Sequence, residues 1–246
     1  MPPTPPRYAE VADVLRKRIK EGAYQPGDLL PSTHELCRMF DISVQTAKSA
    51  IAQLRGEGLV YAKQGKGVFV RERREILRYT GGRYGHGRPP NLQEEEDSGI
   101  FLDVDAERRQ VEASPGVAAR LKIQPGDKCS EAVYTWHLDG EPVMVSTQWE
   151  PLALTGGTPI ETPASGERGQ PDVISRYRSI GINVTEIQED IRTRMPTPDE
   201  ARVLKLTDGT PVFHITRTHL AGELPVETAE IVMRGDSFVL RNRQTI

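Results

Sequence analysis

A short run of polar side chains near residue 45 has the chemical types that bind nucleic-acid bases. The run contains Gln45, Thr46, Lys48 and Ser49. Glutamine can pair with an adenine edge, threonine offers a hydroxyl and a methyl group, and lysine can reach guanine or phosphate. A polar surface helix without any ligand carries the same residue types. The elements around the run must therefore decide between these two interpretations.

Three helices are predicted around this run. Residues 8–21 place apolar side chains four positions apart, which is typical of an amphipathic helix. Ser32 and Glu35 have the spacing of a capping box, so a second helix is expected over about residues 33–40. Ser43 can cap a third helix after only two intervening residues. Two short helices with so tight a connection form a helix-turn-helix, whose second helix enters the major groove.

A hairpin is predicted directly after the third helix. Residues 59–64 alternate in the pattern of a strand, Gly65, Lys66 and Gly67 form a turn, and residues 68–70 return as the partner strand. Glycine lets the backbone come close to a phosphate, and the lysine adds a positive charge at the tip. Residues 1–75 also carry 13 Lys and Arg against 9 Asp and Glu. This order of elements predicts a winged helix-turn-helix that binds double-stranded DNA.

Residues 8–70 resemble the GntR family of bacterial transcription regulators. The matching motifs are Tyr24-x-Pro26-Gly27-Asp28-x-Leu30-Pro31-Ser32, Glu57-Gly58-Leu59-Val60 and Gln64-Gly65-Lys66-Gly67-x-Phe69-Val70. The resemblance implies a homodimer on a palindromic operator, with DNA contacts from the start of the second helix, the recognition helix and the wing tip. The predicted DNA-binding residues are Arg7, Ser32, His34, Ser43, Gln45, Thr46, Lys48, Gln64, Gly65, Lys66 and Gly67.

Three positions in this module depart from the family pattern. The family often has Arg at the positions of His34 and Val44, and Gly at that of Asp41. Asp tolerates the left-handed backbone that Gly would supply, so the change at Asp41 is expected to be structural. Val44 cannot form a hydrogen bond but can pack on a thymine methyl group. We therefore expect an operator that differs from the usual family site at that base pair.

The composition changes after the hairpin. Residues 76–98 are rich in glycine, proline and acidic residues, which are poor core formers, so they are predicted to be a mobile linker or an arm on the next domain. Residues 99–246 contain a repeat in which residues 114–126 align with residues 197–209. Each copy is predicted to form a capped short helix, a glycine turn and a hairpin. The two hairpins are expected to join in one antiparallel sheet with helices packed against it.

Residues 99–246 resemble the UTRA effector-binding domain of the HutC subfamily, whose fold is similar to that of chorismate lyase. The matching positions are Pro115, Leu121, Gly140-x-Pro142, Pro151, Leu204, Gly209, Arg217, Pro225-x-Glu227 and Arg234-x-Asp236. The resemblance implies an effector-binding and dimerisation domain with a ligand cleft over the sheet. The whole chain is therefore predicted to be an α+β protein with a winged helix-turn-helix domain over residues 1–75, a linker over 76–98 and a UTRA domain over 99–246.

The predicted effector site also departs from the family. Relatives that bind sugar phosphates tend to have two arginines where this chain has Tyr134 and Trp136, and Ser146 replaces a common Glu, whereas Arg217 and Glu227 are retained. These five residues form the predicted effector site. An aromatic pair with one remaining cation favours an apolar, aromatic or lactone-like molecule over a sugar phosphate. Two alternatives stay open: Tyr134 and Trp136 as core residues, and Arg217 as the structural partner of a carboxylate.

No residue pattern predicts catalysis, a cofactor or a metal site. Cys37 and Cys129 lack metal-ligand spacing and are expected to be packed. The sequence thus predicts a cytoplasmic transcriptional repressor that a small molecule releases from its operator. One alternative is a DNA-binding repressor whose second domain only dimerises. A less favoured one is a lyase-like enzyme that uses the strand histidines His137, His214 and His219.

Overall fold

The computed structural model describes residues 5–63, 65–71, 75–84, 90–165, 171–206 and 208–242. The chain divides into two compact units, and the second unit begins at Glu75. No helix among the described residues is long and apolar enough to span a bilayer.

The first unit consists of three helices followed by a hairpin. The elements are α1 Arg7–Lys20, α2 Thr33–Phe40, α3 Val44–Gly56, β1 Val60–Lys63 and β2 Gly67–Val70. The strands β1 and β2 pair antiparallel, with Lys63 opposite Gly67 at the turn. These are the elements of the predicted winged helix-turn-helix, in the predicted order.

Local capping signals fix the ends of the two central helices. The Ser32 hydroxyl accepts from the Glu35 amide at 3.3 Å, and the Glu35 carboxylate accepts from the Ser32 amide at 2.7 Å, which confirms the capping box. Ser43 accepts from the Thr46 amide at 3.1 Å at the start of α3. Asp41 ends α2 with φ of 50°, the left-handed conformation expected there.

The helices of the first unit pack around one apolar core. Its fully buried members lie on the faces that the helical spacing predicts, and include Leu15, Leu36, Ala47, Ala50 and Leu54. Burial of these side chains leaves the opposite, polar faces of α2 and α3 exposed, as an amphipathic pattern requires.

The second unit is built on a six-stranded antiparallel sheet. Its strands are β4 Asp103–Glu112, β5 Lys128–Leu138, β6 Glu141–Pro151, β7 Glu186–Arg194, β8 Val212–Ala221 and β9 Leu224–Arg234. The strand order is β4-β5-β6-β9-β8-β7. The hairpins β5/β6 and β8/β9 of the two predicted repeats meet through β6 and β9, so the expected joining of the repeats in one sheet is confirmed.

Short helices and a second, small sheet complete this unit. The helices are α4 Pro90–Ser98, α5 Pro115–Leu121, α6 Leu152–Thr155, α7 Val173–Ser179 and α8 Pro198–Val203. The small sheet pairs β3 Ile76–Tyr79 with β10 Phe238–Arg241 in parallel. The helices α5 and α8 occupy matching places in the two repeats, each directly before its hairpin.

The segment predicted as a linker contains regular structure. The strand β3 and the helix α4 both lie within residues 76–98. Ile76 and Leu77 are buried, and Ile76 packs in the core beside the main sheet. The mobile-linker interpretation is therefore wrong for these two elements, since a partner strand more than 150 residues away supplies the pairing that composition could not reveal. They form an arm that belongs to the second unit.

Candidate functional site

The predicted DNA-binding residues of α3 lie in its exposed first turns. Ser43, Gln45 and Lys48 are exposed, and Thr46 is half-buried with its hydroxyl 2.9 Å from the Ser43 hydroxyl. Val44 is 44% exposed, which is high for an apolar side chain. The amide groups at a helix N-terminus carry partial positive charge, so this end of α3 suits an anionic partner.

Three further DNA-binding candidates lie at the starts of α1 and α2. His34 is exposed in the first turn of α2, and Ser32 caps that helix. The Arg7 guanidinium donates to the Glu10 carboxylate at 2.6 Å and to the Phe40 carbonyl at 3.3 Å. Arg7 therefore bonds within the domain, although its side chain remains 62% exposed.

The hairpin tip has the backbone geometry of a tight, exposed turn. Gly65, Lys66 and Gly67 are all exposed, and Gln64 lies outside the described residues. Gly67 has φ of 116°, and a Cβ atom there would lie 2.6 Å from Leu29 Cδ1. Only glycine fits that position without displacing its neighbour. The tip thus presents a lysine on a turn whose shape its glycines determine.

A second candidate site lies on one face of the main sheet. The strand register puts Tyr134 opposite Ser146, and Ser146 opposite Ile231. Two positions along, Trp136 faces Met144 on the same side. These side chains and their neighbours line a cavity of about 140 Å³. Four of the five predicted effector residues are in this wall, namely Tyr134, Trp136, Ser146 and Arg217.

The two aromatic residues belong both to the packed sheet and to the cavity wall. Tyr134 is 4% exposed, and its hydroxyl donates to the Ala164 carbonyl at 2.7 Å. Burial raises the pKa of Tyr134 to about 12. Trp136 packs against the core cluster that contains Val143 and Met233. The core interpretation and the pocket interpretation of this pair are therefore compatible.

Glu227 is not among the residues that line the cavity. It is fully buried, and its carboxylate contacts Arg217 Nη2 at 2.8 Å and His219 Nδ1 at 2.5 Å. Burial alone would raise the pKa of Glu227, but Arg217 and His219 lower it to about 2. Glu227 therefore stays ionised and fixes Arg217 and His219, both of which do line the cavity. Arg217 has the carboxylate partner that one alternative interpretation required.

The arm supplies part of the wall that sequence reasoning missed. Arg78 on β3, and Arg83 and Tyr84 beyond it, line the cavity. Arg78 Nη2 contacts a carboxylate oxygen of Glu189 at 2.5 Å, and the Tyr84 hydroxyl donates to the same oxygen at 2.6 Å. The charged Arg78 follows two buried apolar residues, a pattern that points to a paired, buried cation. The composition of the surrounding segment masked that signal.

A further cation comes from α7. Arg176 donates to both carboxylate oxygens of Glu150, at 2.5 and 3.1 Å, and lines the cavity. Together with Arg78, Arg83 and Arg217, it makes four arginines among the described residues of the wall. The expectation of a single remaining cation is therefore wrong, because the other three come from segments distant in sequence from the aromatic pair.

Three buried donor atoms of this wall lack a hydrogen-bond partner among the described residues. They are Arg78 Nε, Arg217 Nε and Ser146 Oγ. All three residues are at most 7% exposed, so bulk solvent does not readily satisfy these atoms. Buried polar atoms are rarely left unpaired, and such a cluster commonly marks a place where a ligand or ordered water binds.

The three strand histidines do not converge on one site. His219 is held by Glu227, and His137 Nδ1 lies 3.6 Å from a carboxylate oxygen of Asp105. His214 lies next to Ile215, which pairs with the cavity residue Ile231, so its side chain projects from the opposite face of the sheet. No group of potential metal ligands occurs among the described residues. This arrangement gives the lyase-like alternative no support.

Two family models match the chain, one in each unit. Residues 7–70 match "Bacterial regulatory proteins, gntR family", and residues 106–239 match the UTRA domain. The second match alone covers more than half of the chain.

Relatives of known role and a solved structure match nearly the whole chain. The chain is 25% identical over 240 residues to the transcriptional repressor NagR of Bacillus subtilis, covering 95% of this chain and 92% of the relative. It is 26% identical over 240 residues to the mannosyl-D-glycerate transport/metabolism system repressor MngR of Escherichia coli, covering 95% and 93%. A solved chain named as a GntR-family transcriptional regulator is 34% identical, with a TM-score of 0.67 and 98% coverage of both chains.

Proposed function

Because this chain belongs to the GntR family of bacterial regulatory proteins and carries a UTRA domain, we propose that a small molecule in the sheet cavity releases it from its operator. The chain is a DNA-binding transcriptional regulator, not an enzyme. NagR and MngR are both named repressors, which supports repression as the role of this protein. We propose further that it acts in the cytoplasm as a homodimer on a palindromic operator.

The observation that carries the proposal is the cavity with its unpartnered donors. A second domain that served only for dimerisation would not need buried, unsatisfied polar atoms from Arg78, Arg217 and Ser146 around one cavity. Unsatisfied buried donors are costly, and a ligand that accepts from them recovers that free energy. A ligand that binds one conformation better shifts the protein toward that conformation. If that conformation binds the operator less tightly, the ligand lowers the affinity of the protein for the operator.

On the DNA side, we propose that α3 and the wing tip make the contacts. Gln45 is the candidate for reading a base edge, because it is exposed in the first turn of α3. Lys48 and Lys66 are the candidates for phosphate or guanine contacts. Ser32 and Ser43 use their hydroxyls to cap helices, so their contribution to DNA binding is the placement of those helix starts.

The test uses the full-length protein and genomic DNA. Footprinting of sheared genomic fragments should recover a small set of palindromic sites, and labelled duplexes of those sites should bind at nanomolar protein concentration. Gln45→Ala should relax the base preference at one symmetric pair of positions, whereas Lys17→Ala, an exposed lysine in the last turn of α1, serves as a charged control. Addition of a metabolite extract should release the labelled duplex.

Two results would contradict the proposal. Equal binding of all genomic fragments would contradict sequence-specific regulation. Specific binding that no metabolite extract alters would leave a repressor without an effector, in which the cavity has no regulatory role.

A further inference from the structure

The charges around the cavity distinguish between classes of ligand. Arg78, Arg83, Arg176 and Arg217 each contact a glutamate at 2.8 Å or less. Asp172, which caps α7 through the Ser175 amide, adds another carboxylate to the wall. The described part of the wall therefore has arginines but no excess of positive charge. A phosphate ester would enter without a free countercharge, at a large desolvation cost.

The donor geometry points to an acceptor oxygen. In Arg78 and Arg217 one terminal nitrogen, Nη2, donates to a glutamate, while the Nε–H groups have no acceptor among the described residues. The Ser146 hydroxyl is unpartnered in the same wall. A carbonyl oxygen offers two lone pairs, and the ring oxygen of a lactone adds a weaker acceptor beside it. Neither oxygen carries net charge, so a lactone suits three directed donors in an electrically balanced cavity.

The rest of the wall is apolar. Trp136, Met144, Val173, Ile174 and Ile231 line the cavity. These side chains suit a hydrocarbon body attached to the acceptor group, since ligand cavities combine apolar walls with a few placed polar groups.

We propose that the effector is a compact, uncharged molecule with a carbonyl oxygen and an apolar body, such as a lactone, held by Arg78 Nε, Arg217 Nε and Ser146 Oγ. This inference rests on the proposed function, because it names the ligand class of the same cavity. It also makes the arm part of the effector site, since Arg78 lies on β3, the first strand after the DNA-binding unit. Ligand binding then stabilises the docked arm at the point where the chain leaves that unit.

The test compares probes that share a skeleton and differ in charge. The probes are γ-lactones of increasing alkyl length, the ring-opened 4-hydroxycarboxylate of each, and inorganic phosphate. Binding to the full-length protein is followed by thermal shift and calorimetry at neutral pH. At least one lactone should bind, and its hydroxycarboxylate and phosphate should bind at least tenfold more weakly. Tighter binding of a hydroxycarboxylate or of phosphate, or no binding by any lactone, overturns the proposal.

Ser146→Ala separates a ligand donor from a structural residue. Its hydroxyl has no partner in the part of the chain that the structure describes, so removing it should leave the stability of the free protein unchanged or slightly increased. Loss of one hydrogen bond should weaken lactone binding about tenfold. The matched control is Ser130→Ala, a buried serine of the neighbouring strand that does not line the cavity. Unchanged lactone affinity in Ser146→Ala overturns the donor assignment.

Arg78→Lys tests the contribution of the arm. Lysine keeps a positive charge beside Glu189 but removes the Nε donor, so affinity for the lactone should fall about tenfold. Equal affinity would show that the arm does not bind the ligand.

The outcome of this test is distinct from that of the proposed function. If extract releases the operator while no lactone binds, the function stands and the ligand class is wrong. If a lactone binds as described but no effector releases DNA, the ligand class stands and the regulatory proposal fails.

Discussion

The buried carboxylate of Glu227 offers the sharpest test of how the cavity wall is held. Glu227 is fully buried between Arg217 and His219, at 2.8 and 2.5 Å. These partners lower its pKa from 4.5 to about 2, despite burial. A lowering of that size corresponds to about 3 kcal/mol of folding stability at neutral pH. Glu227→Gln should lose about that amount, because it leaves the Arg217 charge without its carboxylate.

The sign of the pH dependence follows from the direction of the pKa change. The carboxylate is more acidic in the folded protein, so the unfolded chain takes up the proton first as the pH falls. The stabilisation is therefore complete above about pH 5 and is lost as the pH falls toward 2. The difference in stability between wild type and Glu227→Gln should narrow by about 1.4 kcal/mol for each pH unit below 4.5.

The assay is urea unfolding at pH 7, 4.5 and 3.5, followed by tryptophan fluorescence. Both tryptophans of the chain, Trp136 and Trp149, lie in the second unit, so the signal reports that unit alone. The control is Glu230→Gln on the same strand. The Glu230 side chain is 42% exposed, so its ion pair with Arg120 should contribute at most about 1 kcal/mol to the free energy of unfolding. A loss below about 1 kcal/mol in Glu227→Gln, or a difference that does not narrow at pH 3.5, would refute this reasoning.

Three further predictions concern the DNA-binding unit. Val44→Arg should tighten operator binding and, if the new contact is to phosphate, steepen the slope of log affinity against log salt concentration by about one unit. Fluorescence anisotropy at several salt concentrations measures both quantities, and no change in either would mean that residue 44 does not face DNA. Lys66→Ala should weaken binding to all sequences alike and reduce the salt slope by about one unit, whereas a change in base preference would contradict a phosphate contact. Gly67→Ala should destabilise the first unit by about 1–3 kcal/mol, because a φ of 116° strains any residue with a Cβ atom, whereas the exposed Leu29 side chain beside it can turn away. It should cost more than Gly65→Ala, whose φ of 70° lies in the left-handed region, and equal unfolding midpoints by circular dichroism would contradict this reasoning.

The first unit could be predicted almost completely because its signals are local. The capping box of Ser32 and Glu35 and the cap at Ser43 each act within three residues, and the structure contains all of them. The left-handed conformation of Asp41 was predicted because the family often has glycine there and aspartate tolerates the same backbone. Spacing of apolar residues then fixed which helix faces are buried.

The cavity could be predicted only in part because half of its wall comes from distant segments. Tyr134, Trp136 and Ser146 were found because they stand at positions where the resemblance to the UTRA domain implies ligand contacts, and the strand register places them on one face. Arg78 was missed because its strand pairs with β10, at the far end of the chain. No local pattern specifies that partner, and the surrounding glycines and prolines favoured a linker. Arg176 was missed for a similar reason, since its carboxylate partner Glu150 lies on β6.

The arginine–glutamate pairs of the wall explain how donors can be ready for a ligand before it binds. In Arg78 and Arg217 a glutamate accepts from Nη2, and Nε has no acceptor in the described part of the chain. The pairing fixes the orientation of a long side chain that would otherwise lose conformational entropy on binding. Buried ion pairs contribute little net stability against apolar replacements, so stability is a weak reason for keeping four of them. Preorganisation of the donors is a better one, and it accounts for the placement of the pairs around the cavity.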